Sequence, residues 1–123
     1  MIDEKTLLDR TPTGLFVGGS WRDASDGGTV GVEDPSTGEV LTKVADATLA
    51  DGRAALDAAV EAQAGWAATT PRMRADILRA AFEAITERAD DFAMLMTLEM
   101  GKPLAQSRGE VTYGAEFFRW FSE

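Results

Sequence analysis

The run Thr70-Pro71-Arg72-Met73-Arg74-Ala75-Asp76-Ile77-Leu78-Arg79-Ala80-Ala81-Phe82-Glu83-Ala84-Ile85 decides how this chain is read, because it holds a start signal and an unbroken helical period. Thr70 offers a hydroxyl to first-turn amides. Pro71 follows at the first helical position, where its missing N–H removes nothing and its φ already suits a helix. Met73, Ile77, Leu78, Ala81, Phe82 and Ile85 form an apolar stripe. Arg72 with Asp76, and Arg79 with Glu83, pair one turn apart on the outer face. The spacing predicts an amphipathic helix from Pro71 to about Arg88.

Working outward, Thr48-Leu49-Ala50-Asp51 fits a capping box with Asp in place of the usual Glu. Leu49, Leu56, Ala59, Val60, Gln63 and Ala67 then recur near the helical period, and Arg53, Asp57 and Glu61 line another face, so a helix is predicted from there to about Trp66. After the central run, Ala89-Asp90-Asp91 suits a helix N-terminus and Phe92, Leu95, Met96 and Leu98 continue the pattern. Gly101 offers a left-handed stop, with Pro103 two residues on. The last predicted helix opens at Pro103. It places Val111, Ala115 and Phe118 on one face and Tyr113, Phe117 and Trp120 on another, and it is apolar on most sides at its end.

Before Thr48 the chain reads as β. Leu15 to Trp21 and Thr29 to Glu33 are predicted as two short strands joined by a hairpin-like loop through the turn-rich Asp23–Gly28. A turn at Asp34–Gly38 leads to a third strand over Glu39–Val44, with Val40, Thr42 and Val44 placed to share a face. The expected class is α+β: short N-terminal strands in a hairpin, then about four helices, in one unit over residues 1–123. No repeat, low-complexity tract or long linker divides it.

Length and composition bound what such a unit does. A chain of 123 residues with 45% apolar and 27% charged content can bury a core and is too apolar for a disordered tail. The 21 acidic and 12 basic residues leave a net charge of -9. That charge repels phosphate backbones and anionic lipid, which excludes nucleic acid and membrane surfaces as partners. No stretch approaches 18 apolar residues, and Met1-Ile2-Asp3-Glu4-Lys5 has no apolar run of a signal peptide behind it, so the expected compartment is the cytosol.

The chain contains no Cys, no His and no Asn. The first absence removes thiolate nucleophiles, disulfides and zinc–thiolate sites, and the second removes the imidazole base. No two glycines stand two apart and Gly101-Lys102 lacks a glycine five positions ahead, so neither G-x-G-x-x-G nor a P-loop can be written. Gly18-Gly19 and Gly27-Gly28 read as turn glycines. Asp90-Asp91 reads as a helix-dipole pair, and Glu99 and Glu110, set among apolar neighbours, are the acids with most claim to a role. The aromatic end, Tyr113, Phe117, Phe118, Trp120 and Phe121, admits three readings: a lining for an apolar or planar ligand, core packing, or a face that awaits protein outside this chain.

Taken together, the segments resemble the aldehyde dehydrogenase family, and within it the succinate-semialdehyde type. Leu7-Leu8-Asp9-Arg10-x-x-Thr13-Gly14-Leu15-Phe16-Val17-Gly18-Gly19-Ser20-Trp21 looks like the opening of those enzymes. Asp34-Pro35-Ser36-Thr37-Gly38-Glu39 resembles their Asn-Pro-Ala-Thr-Gly-Glu turn, with Asp34 able to cap it as Asn does. Trp66 and the stretch Arg72 to Leu78 are similar to the first two helices. Leu98-Glu99-Met100-Gly101-Lys102-Pro103-Leu104 and Glu110-Val111-x-Tyr113-x-Ala115-x-Phe117-x-x-Trp120-Phe121 resemble later segments, in order.

The resemblance implies the N-terminal part of a cofactor-binding domain. Its parent would use NAD or NADP to oxidise a small aldehyde, would be a homo-oligomer, and would keep its Cys nucleophile, Asn oxyanion donor, Glu base and Rossmann core beyond this chain. No catalytic, cofactor-binding or metal-ligating residue is therefore assigned within 1–123, and the chain alone is expected to be inactive and to bind no dinucleotide. Some members hold a structural monovalent cation between carbonyls near the Asp34 turn and an acid at the Glu99 position. The abrupt end after Phe121, with no Gly cap, reads as a cut inside a helix. The competing expectation is a complete, non-catalytic helical interaction module that binds a partner through its aromatic helix.

Overall fold

A computed structural model describes residues 3–123. Helix α1 (Glu4–Arg10) precedes two β-hairpins, β1 (Leu15–Val17) with β2 (Ser20–Arg22) and β3 (Thr29–Glu33) with β4 (Val40–Ala45). Four helices follow: α2 (Leu49–Ala68), α3 (Pro71–Glu87), α4 (Ala89–Met100) and α5 (Leu104–Ser122). The α+β class and the strands-then-helices order match the sequence reading.

Each helix start has a local cause. Thr48 accepts from the Asp51 amide while the Asp51 side chain answers the Thr48 amide, so the capping box of α2 is complete. Thr70 accepts from Met73 N–H, with Pro71 opening α3. Gly101 ends α4 with φ 75° and donates its N–H to Thr97 O at 2.8 Å, the left-handed stop expected there. Arg72–Asp76 and Arg79–Glu83 form the two outer-face pairs of α3. Both are exposed and contribute only a few tenths of a kcal/mol each.

The strands differ from the sequence reading in one respect. Leu15 to Trp21 is not one strand paired with Thr29–Glu33; it folds on itself. Leu15 pairs with Arg22, Phe16 with Trp21 and Val17 with Ser20. The cause is Gly18-Gly19, whose φ values of 59° and 85° allow a tight turn with both central residues in the positive-φ region. Residues 23–28 then connect two separate antiparallel ladders. Helix α1 is a further difference, since no helix was read before Leu15. Asp3 caps it by accepting from Thr6 N–H at 3.0 Å, and Leu7 is its buried anchor.

The core lies in the C-terminal half, where α5 packs extensively on α3 and α4, and α1 rests on α4. Ala93 and Leu98 of α4 and Ser107, Val111 and Ala115 of α5 are buried. Ser107 sits among them because its hydroxyl pairs with that of Thr97 at 2.9 Å, which satisfies both groups away from water. Helix α2 touches little besides β1, and none of its apolar residues is buried. No helix among the described residues is long and apolar enough to cross a membrane.

Candidate functional site

The acids singled out in the sequence are not brought together. Asp90 and Asp91 stand in the first turn of α4, as expected of a dipole pair, with Asp90 accepting from Arg108 at 2.8 Å and Asp91 4.0 Å from Arg88. Glu99 is exposed at the end of α4, and Glu110 is exposed on α5, where Lys102 donates to it. Both carboxylates thus lie on the solvent side of their helices. Among the described residues, no three His, Cys, Asp or Glu side chains are grouped so as to hold a metal ion.

Among the described residues two carboxylates are buried, Asp34 and Asp51, and the more deeply buried is Asp51, 2% exposed. Its Oδ2 accepts from the backbone N–H of Ser25 (3.0 Å) and Thr48 (3.0 Å), and from the hydroxyls of Thr48 (2.9 Å) and Ser25 (3.1 Å). These bonds, the Ser25 and Thr48 amides first, hold its carboxyl well below the usual carboxylate range despite burial. Arg22 Nη2 lies 3.1 Å from Oδ1 as an ion pair without an aligned hydrogen bond, and Arg22 Nε finds no acceptor among the described residues. The sequence identified Asp51 as a capping residue only. Its longer reach to Ser25 and Arg22 fastens the loop after β2 to the start of α2, a structural role.

The Asp34 turn forms as read. Asp34 Oδ1 accepts from the Ser36 amide at 2.8 Å and hydroxyl at 2.6 Å, which lowers its pKa. The fold brings this turn against the end of α4, where a Cβ built on Gly101 lies 3.0 Å from Pro35 Cγ. The Glu99 and Asp34 segments are thus neighbours, while the Asp34 carboxylate itself is occupied by Ser36.

The outer face of α5 is exposed and aromatic. Val111 and Ala115 turn inward, while Tyr113, Phe117, Trp120 and Phe121 stay exposed and line one shallow groove with Glu116. The Tyr113 and Phe117 rings meet edge to face at 5.1 Å. Arg119 donates to Glu116 at 2.6 Å and to Glu123 at 3.2 Å, which raises its pKa and lowers that of Glu116. The charged residues beside the stripe therefore neutralise one another. A second groove runs along α2, lined by Leu56, Val60, Gln63 and Trp66. Most of that groove belongs to the helical-period apolar set read in the sequence, and it is bare.

The chain carries no G-x-G-x-x-G phosphate loop. The positive-φ glycines lie in hairpin turns, the Ser25–Gly28 loop, the Asp34 turn and the α4 stop. At the starts of α2 and α3, the Asp51 amide is taken up by Thr48 and the Met73 amide by Thr70.

Comparison with known proteins gives a consistent neighbourhood. The model of the Aldehyde dehydrogenase family matches residues 21–123. A succinate-semialdehyde dehydrogenase of Paenarthrobacter nicotinovorans is 64% identical over 84 residues, covering 68% of this chain and 19% of that protein. A glutarate-semialdehyde dehydrogenase of Pseudomonas aeruginosa is 44% identical over 108 residues, covering 88% and 22%. The crystal structure of an E. coli NADP dependent enzyme superposes with a TM-score of 0.90 at 39% identity, covering 99% of this chain and 25% of that one. The chain thus spans about a fifth to a quarter of the length of the proteins it matches.

Proposed function

The chain belongs to the aldehyde dehydrogenase family, and from that premise we propose that it is the N-terminal part of the cofactor-binding domain of an enzyme that oxidises succinate semialdehyde to succinate with NAD or NADP in the cytosol. The observation that supports the substrate is the 64% identity, over 84 residues, to a succinate-semialdehyde dehydrogenase. The role of the chain is scaffold. Oxidation of an aldehyde through a covalent intermediate needs an activated nucleophile and donors for the developing oxyanion. With no Cys and no Asn in the chain, those groups are supplied from outside it, and the chain alone turns nothing over.

The match supports scaffold over a complete interaction module, because the chain aligns with about a fifth to a quarter of much longer aldehyde dehydrogenases, and the bare stripes of α2 and α5 suit faces that the rest of such a protein covers. Expressing the whole reading frame that encodes this chain tests the proposal. Expected is reduction of NAD or NADP with succinate semialdehyde at a kcat/KM at least tenfold above that for glutarate semialdehyde, since one methylene is worth roughly 10- to 200-fold in a fitted pocket. A preference for the longer semialdehyde refutes the substrate, and a frame that stops at Glu123 refutes the scaffold reading.

A further inference from the structure

We draw no further inference here: the strongest candidate, the aromatic groove on the outer face of α5 lined by Tyr113, Phe117, Trp120 and Phe121, is an unpartnered apolar face, and nothing in the structure shows what covers it.

Discussion

Gly101→Ala is the substitution whose cost can be assembled from the structure. Gly101 has φ 75°, and a Cβ there meets Pro35 Cγ at 3.0 Å and Pro35 Cβ at 3.7 Å. Gly19, with φ 85° and nothing within 4 Å of its Cβ position, has the same backbone demand without the contact. A non-glycine residue in the left-handed region costs about 1 kcal/mol, so Gly19→Ala should lose about that. Gly101→Ala should lose about 2 to 3 kcal/mol, because pressing a methyl group against the Pro35 ring adds overpacking of at least about 1 kcal/mol. Pro35→Ala removes the ring. In the double variant the excess should vanish, which gives a coupling of about 1 kcal/mol. Urea unfolding of the four proteins, compared through midpoints at unchanged m, reads these differences. Equal losses for Gly19→Ala and Gly101→Ala, with no coupling to Pro35, would refute the reasoning, and with it the claim that the Asp34 turn is held against the end of α4.

Three further outcomes are expected. Thr70→Ala removes the oxygen that accepts from Met73 N–H and should cost about 1 kcal/mol; a loss under a few tenths in urea unfolding would show that Pro71 alone starts α3. Leu7→Ala should cost about 3 kcal/mol, since Leu7 is 2% exposed and α1 has no other buried residue, and hydrogen exchange should show α1 loosened from α4. Asp51 has a depressed carboxyl pKa in the folded protein, so its contribution is present above the unfolded value of about 3.9 and is lost as the pH falls below that toward the folded value. Asp51→Asn should therefore be less stable than the parent at pH 7, with the gap closing as the pH is lowered through 4. A gap that is the same at pH 7 and pH 3 refutes the assignment.

What the sequence made legible is local. The capping box at Thr48, the Thr70-Pro71 start and the Gly101 stop each depend on residues within four positions of one another, and each formed where it was read. The errors came where partners are distant or absent. Gly18-Gly19 was recognised as a turn pair, yet the strand on either side was drawn through it, because a three-residue strand is too short to show an alternation. Helix α1 has a single buried residue, too little for a periodic signal.

The stripe on α2 is the more instructive case. Periodicity reports that a face is apolar, and it carries no information on whether the neighbour that covers the face is in the same chain. Leu56, Val60 and Trp66 keep a core-like pattern in solvent. Helix α5 makes the same point within one element, since its apolar residues divide into a face that packs and a face that does not. Val111 and Ala115 meet α3 and α4, while Tyr113, Phe117 and Trp120, of equal or greater hydrophobic area, meet nothing comparable. Composition would rank the second face as the better core. A difference that composition cannot account for is most simply a missing neighbour, which is why the catalytic absences in the sequence and the bare faces in the fold support one and the same reading of this chain as a scaffold.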